Sequence, residues 1–175
     1  MYFKDKSGFT LIEVLVVVVI IGVLAGVLLN VINVSRQKDI ANDAVRVSTM
    51  EKLAQALESY VVSNGRTPVD TNSDFNPISA GDADAAELGR FITAWPTTNV
   101  AGQNYTYFRS STTAYCVGVP MSAASTTYYK YIEPNSVSNV ACKGKILKGC
   151  TNQCTSGGSG LSVTGCTTLE NVSCS

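Results

Sequence analysis

The chain has 175 residues, with 13 basic and 13 acidic side chains, six cysteines and no histidine. A formal charge of zero supplies no global attraction for nucleic acid or for an anionic membrane. The lack of His argues against a His-containing metal site, while six Cys in a chain of this size point to an oxidising compartment.

The first seven residues, Met1 to Ser7, are short and polar, and Lys4 and Lys6 mark the cytoplasmic side under the positive-inside rule. Gly8-Phe9-Thr10-Leu11-Ile12-Glu13 follows and opens an almost unbroken apolar run to Ile32. Phe9 to Ile32 is 24 residues, about 36 Å of helix against a hydrocarbon core of about 30 Å. A carboxylate at the centre of such a span costs roughly 3 kcal/mol. Glu13 lies near one end, where the cost is lower, but it still calls for a partner. A cut after Gly8 would create one: the α-amine of Phe9, a group that ordinarily titrates at about 7.7–8.0, sits four residues from the acid. At 4 Å and an effective dielectric of 20 the attraction is about 4 kcal/mol before desolvation is subtracted. That is enough to set the register of helices that otherwise slide on uniform Val and Ile.

Gly8-Phe9-Thr10-Leu11-Ile12-Glu13-Val14-Leu15-Val16-Val17 resembles the class III signal of type IV pilins and type II secretion pseudopilins. The resemblance implies that a membrane prepilin peptidase cuts between Gly8 and Phe9 and methylates the new N-terminal Phe9. It also implies that Glu13 neutralises the amine of the adjacent subunit during fibre assembly. Loss of residues 1–8 removes Lys4, Lys6 and Asp5, which leaves 11 basic and 12 acidic side chains. A second segment, Tyr60-Val61-Val62-Ser63-Asn64-Gly65-Arg66-Thr67-Pro68, is similar to the helix-ending stretch of many pilins and pseudopilins. Many members carry a Pro late in the apolar segment, where this chain has Asn30. The helix melting seen between a Gly and that Pro in relatives therefore stays open for Gly22 to Asn30.

Two plainer readings compete at the N-terminus. Val23-Leu24-Ala25 before Gly26 offers an ordinary signal-peptidase site, but Glu13 at the head of the apolar core and the very short leader stand against it. An uncleaved anchor is the other, with Gly22 to Gly26 as a small-residue packing patch. Every one of these readings places the C-terminal domain outside the cytoplasm.

Past Ile32 the helix is expected to continue and become amphipathic. Val47, Met50, Ala54, Leu57 and Val61 form one apolar stripe at helical spacing. Arg36, Lys38, Asp39, Asp43, Arg46, Glu51, Lys52 and Glu58 occupy much of the rest. Asn64-Gly65 supplies a stop and Pro68 prevents continuation, so one helix of more than 50 residues is predicted. Thr67 to Gly81 reads as a loop. A short helix after Asp82 follows from the shared face of Ala85, Leu88, Ile92 and Trp95, ended by Pro96. Strands are predicted at Tyr105–Arg109, Ala114–Val119 and Thr126–Ile132. Packed as a meander on the apolar stripe, they would bury Leu57, Tyr107, Tyr115 and Tyr129. From Glu133 the chain is rich in Gly, Ser, Thr and Cys and shows little periodicity.

The tail holds Cys142, Cys150, Cys154, Cys166 and Cys174, with Cys116 on a predicted strand. Cys150 and Cys154 have a spacing seen in some zinc sites, but an exported tail too polar to form its own core calls for disulfides. Six cysteines allow 15 pairings. Cys116 with Cys142 is the expected bridge, compatible with the resemblance because many pilins staple a C-terminal loop to the sheet. Asp70, Asn72 and Asp74 alternate like the start of a calcium loop, and some pseudopilins bind calcium in this half of the domain. The segment lacks the Gly at the sixth position, which is Phe75, and the late Glu. Lys143, Lys145 and Lys148 make a small basic patch of the kind that is usually just solvated, so no specific nucleic acid is expected as a partner.

The fold class expected is α+β and pilin-like: a long N-terminal α-helix, half membrane-spanning and half amphipathic, packed on a small antiparallel β-sheet with a disulfide-stapled C-terminal region. The divisions are a leader at 1–8, a transmembrane and assembly half at 9–32, and a head at 33–175. Within the head lie the amphipathic helix at 33–64, the connecting loop at 65–104, the sheet at 105–132 and the Cys-rich tail at 133–175. The resemblance implies a structural subunit of a type IV pilus-type fibre, with a pseudopilin of a type II secretion system as the alternative. An anchored, disulfide-rich adhesive or binding domain that never polymerises is the alternative of another class. Implied partners are copies of itself, minor pilins, the prepilin peptidase, the inner-membrane assembly platform with its cytoplasmic ATPase, and membrane lipid before assembly. The implied location is single-pass in the inner membrane, then a surface pilus or a periplasmic pseudopilus. No nucleotide loop or catalytic triad is present in the sequence, so an enzyme is not expected. No cofactor or metal is expected; the Asp70, Asn72 and Asp74 segment reads first as a solvated turn, with calcium as the alternative.

Overall fold

The computed structural model describes residues 8–31, 34–155 and 161–174. The chain divides between Lys38 and Asp39 into two compact units. The leader residues 1–7 lie outside the described set.

In the first unit, α1 (Leu11–Val31) begins after Thr10, whose carbonyl accepts the N–H of Glu13 at 3.1 Å and of Val14 at 3.3 Å. From Leu11 to Val27 its side chains, Glu13 apart, are apolar and outward, from 48% exposed at Val16 to 86% at Leu11. A helix that is hydrophobic all round has no solvent face and requires cover from lipid or protein. The helix runs through Gly22 without a break. Among the described residues no helix is long and apolar enough to cross a membrane. The expected span at 9–32 extends past Val27 into residues 28–32, whose side chains lie outside the described set. The predicted single helix is described as α1 and α2 (Val34–Asn64), and Ile32 and Asn33 between them lie outside the described residues.

α2 ends where Asn64-Gly65 predicts. Gly65 takes φ +69°, a left-handed cap that lets its N–H donate to the Val61 carbonyl at 2.8 Å. Met50, Leu53, Ala54, Leu57 and Tyr60 are its buried residues, joined by Arg46. The stripe read from the sequence is therefore correct at Met50, Ala54 and Leu57, while Val47 and Val61 pack only at its margin. Arg46 departs from its expected place on the polar face. It is 2% exposed, and its guanidinium donates to the Pro120 carbonyl and, at 2.6 Å, to Gln103 Oε1. Those acceptors let a permanent cation sit under the sheet, because a buried charge survives only when its donors are used.

Five strands form one antiparallel sheet in sequential order: β1 (Thr106–Arg109), β2 (Tyr115–Pro120), β3 (Tyr128–Ile132), β4 (Ile146–Cys150) and β5 (Thr167–Thr168). The three predicted strands are β1 to β3. No strand is read from the sequence of the tail, with its little periodicity, yet it supplies β4 and β5, because Ile146 and Leu147 pair with Tyr131 and Lys130 and continue the meander. The predicted short helix shrinks to α3 (Ala85–Leu88) and stops at Gly89, well before Pro96.

The pleat gives the sheet two faces. Tyr107, Tyr115, Val117, Val119, Tyr129, Tyr131 and Ile146 share one core with α2, including the four residues expected there. Cys116, Ile132, Leu147 and Cys150 point the other way and share a second core with Val137, Cys142, Cys154, Cys166 and Cys174. The polar tail thus serves as a third layer over the back of the sheet, and β2 is buried along its whole length.

That layer is covalent. The bridges are Cys116–Cys154, Cys142–Cys174 and Cys150–Cys166, so the expected Cys116–Cys142 pair is replaced. Cys142 lies in a 3-10 turn at Val140–Cys142 and meets the C-terminal segment, whereas the turn at Cys154 folds back over β2. Their chain separations of 38, 32 and 16 residues each remove unfolded-state freedom worth about 2–4 kcal/mol. All six cysteines are consumed, which removes the thiolate zinc alternative.

Gly118 is required by this layer. A Cβ built there would meet Cys154 Sγ at 3.0 Å, Cys154 Cβ at 3.3 Å and the Tyr129 carbonyl at 3.5 Å. Gly118→Ala is expected to destabilise the head by about 1–3 kcal/mol, read as a lowered Tm with the disulfides intact. Non-reducing peptide mapping should recover Cys116 with Cys154; recovery of Cys116 with Cys142 would refute the pairing.

Candidate functional site

Two places concentrate chemistry, the head of α1 and the loop between α2 and β1. At the first, Phe9 and Thr10 precede the helix and Glu13 is its third residue. Gly8 is exposed and Phe9 is 82% exposed. Among the described residues no ion pair reaches Glu13, whose side chain is exposed. Phe9, Glu13, Val14, Val17 and Val18 line one shallow concavity on this helix, an apolar surface carrying a single acid.

At the second place the loop is tied down by carboxylates. Arg66 donates from Nη1 to Asp84 Oδ2 at 2.6 Å and from Nη2 to Asp84 Oδ1 at 2.5 Å, a two-pronged pair. Asp84 also accepts from the Val69 N–H at 2.8 Å. These donors, the guanidinium foremost, hold its carboxyl below the usual range. The loop is sewn to β1 as well. Tyr107 OH donates to the Pro68 carbonyl at 2.8 Å, Arg109 Nε donates to Thr67 Oγ1 at 2.8 Å, and the Tyr107 N–H donates to the Phe75 carbonyl at 2.9 Å. The last of these pairs the free edge of β1 with the loop.

Between these anchors the chain coils around three acids. Asp70 accepts the N–H groups of Ser73 and Phe75, both at 2.8 Å. Asp74 accepts the Asn76 N–H at 2.9 Å and the Ser79 hydroxyl at 2.6 Å. Asp82 Oδ1 accepts the Thr71 N–H at 2.6 Å, and its Oδ2 is buried with no partner. One carboxylate oxygen from each of Asp70, Asp74 and Asp82 lies within 4.8 Å of the other two. Burial, with the charges of Asp82 and Asp74 adding to it, raises the Asp70 carboxyl above its ordinary range against the pull of its two N–H donors. Asn72, expected beside Asp70 and Asp74, instead turns its Oδ1 to the Asp74 N–H at 3.1 Å. Asp82 and Asp84 were missed as site residues. Their only mark in the sequence is an Asp-Ala-Asp triplet ahead of a short helix.

Two lysines of the basic patch reach the segment at Leu169 and Glu170. Lys145 pairs with Glu170 at 3.5 Å, and Lys148 Nζ donates to the Leu169 carbonyl at 3.1 Å.

Residues 3–29 match the family model described as the prokaryotic N-terminal methylation motif. No curated protein and no solved structure matches the chain. The chain thus carries a class III prepilin signal ahead of a pilin-like α+β head with three disulfides. The matched signal is the one carried by type IV pilins and pseudopilins.

Asp84→Asn is expected to cost about 1–2 kcal/mol at pH 7, a modest figure because Arg66 is 40% exposed. A carboxyl depressed by folding lends stability that is complete above its unfolded pKa of about 3.9 and fades as pH falls through the lower folded value. The Tm gap between wild type and Asp84→Asn should therefore narrow below about pH 4; a gap that stays constant down to pH 2 would refute the charge-pair account.

Proposed function

We propose that this protein is a structural subunit of a type IV pilus-type fibre. The prepilin peptidase cuts between Gly8 and Phe9 and methylates Phe9, and the subunit waits in the inner membrane with its head outside. It then joins copies of itself and related minor pilins at the assembly platform driven by the cytoplasmic ATPase. One observation carries this reading: α1 is apolar on every exposed face from Leu11 to Val27 and bears a single acid at its start. Lipid covers such a surface before assembly and neighbouring helices cover it afterwards. Burying each Val, Leu or Ile contributes roughly 1.5–3 kcal/mol relative to water.

Apolar packing alone does not choose a register along so uniform a helix. The Phe9 amine of one subunit against Glu13 of the next makes that choice, since this intersubunit pair closes at one axial offset and is lost at the others. The disulfide-clamped head is suited to exposure on a fibre outside the cell, where no reductant or chaperone maintains it.

Mature protein should begin at N-methylated Phe9 on N-terminal sequencing. A start at Gly26 would indicate a secreted domain, and a start at Met1 a plain anchor. Glu13→Ala should leave the cut intact and lower incorporation into filaments at least tenfold, measured as sheared filament protein against the membrane pool. Unchanged incorporation would exclude the proposed role of Glu13. Surface filaments seen by electron microscopy support the pilus; filaments confined to the periplasm would assign the chain to a secretion pseudopilus.

A further inference from the structure

We propose that the loop from Asp70 to Asp82 is a calcium site, with Asp82 Oδ2 as its innermost ligand and one oxygen each from Asp70 and Asp74 completing a carboxylate triad. The strongest sign is the unpartnered oxygen. Asp82 is only 8% exposed, its Oδ1 is used by the Thr71 N–H, and its Oδ2 receives no donor. A buried carboxylate oxygen without a donor is rarely left so in a native fold, and a bound ion is one of the recognised explanations.

The surroundings select a cation. Asp84, two residues on, is neutralised by Arg66, whereas among the described residues Asp70, Asp74 and Asp82 have no ion-pair partner. Three carboxylates whose oxygens lie within 4.8 Å of one another repel strongly unless a positive charge sits among them. That spacing equals about two calcium–oxygen bonds of about 2.4 Å, so one ion can touch all three.

The donor set selects calcium among divalent ions. Every nearby ligand is an oxygen, and neither His nor a free thiol is available for zinc or copper. The triad draws on a thirteen-residue stretch of irregular chain, with Asp74 exposed and Asp82 buried. Such a site suits the variable six- to eight-fold shell of calcium, its remaining places filled by water. Magnesium demands near-ideal octahedral geometry at about 2.0–2.1 Å and dehydrates reluctantly.

Occupancy would act on the sheet. The same loop presents the Phe75 carbonyl to the Tyr107 N–H and so closes the free edge of β1. A cation bridging Asp70, Asp74 and Asp82 would fix residues on both sides of Phe75 and hold that edge shut. The site stands independently of the fibre reading, since neither Phe9 nor Glu13 takes part in it.

The test uses the full chain in detergent micelles, stripped with chelator and titrated with calcium chloride alone by calorimetry and thermal unfolding. One ion per chain is expected, with Tm raised by about 5 °C at saturation and slower hydrogen exchange at the Tyr107 amide. Magnesium chloride should bind at least tenfold more weakly. Asp82→Asn keeps an acceptor for the Thr71 N–H and should weaken calcium binding at least tenfold. Asp74→Asn, at an exposed position that cannot disturb the core, should do the same. Absence of binding heat and of any Tm shift up to about 10 mM calcium, an order of magnitude above the weakest extracellular sites, would overturn the proposal. Wild-type affinity in either folded variant would overturn it too.

Discussion

The head depends on covering both faces of one small sheet. Five strands, the last only two residues long, cannot stand in water with either face bare. α2 covers one face with Met50, Leu53, Leu57 and Tyr60. The other is covered by a tail with too little apolar periodicity to find its place by hydrophobic pattern. The Cys116–Cys154 bridge resolves that difficulty by tying the tail to the central strand β2, with Gly118 leaving room for the sulfur. Cys150–Cys166 and Cys142–Cys174 then draw β4, β5 and the C-terminal segment into the same layer. Cross-linking here substitutes for core volume, which a domain of this size has little of to spare.

The same logic orders the loop before the sheet. It is too polar to bury itself, and its backbone groups are satisfied by carboxylates: Asp70, Asp74, Asp82 and Asp84 accept N–H donors from the loop itself. Each such acceptor brings a negative charge, and Arg66 answers only the one at Asp84. The open β1 edge, a hazard in any sheet, is closed by this loop through Phe75. Structure and chemistry therefore meet at one place: the segment that protects the edge is the segment that accumulates unbalanced charge.

α1 obeys a different constraint. From Leu11 to Val27 its outward side chains are apolar but for the one acid at the helix start. The head has two cores of its own, whereas the exposed apolar face of α1 requires cover from lipid or protein. On the fibre reading proposed above, fold and assembly energy lie in separate parts of the chain.

Much of this was legible from the residues in order. The signal from Gly8 to Glu13, the apolar stripe of α2, its stop at Gly65 and the strands β1 to β3 all depend on local spacing or backbone preference, which neighbouring residues alone settle. The tertiary structure decided the rest because those features join residues distant in the chain. β4 and β5 exist because β3 offers a ladder to pair with, not because Ile146–Cys150 or Thr167–Thr168 alternate. Arg46 is buried because Pro120 and Gln103 meet it there. Cys116 takes Cys154 over Cys142 because of where the tail crosses the sheet, and Asp82 joins Asp70 across eleven intervening residues because the loop coils back on itself.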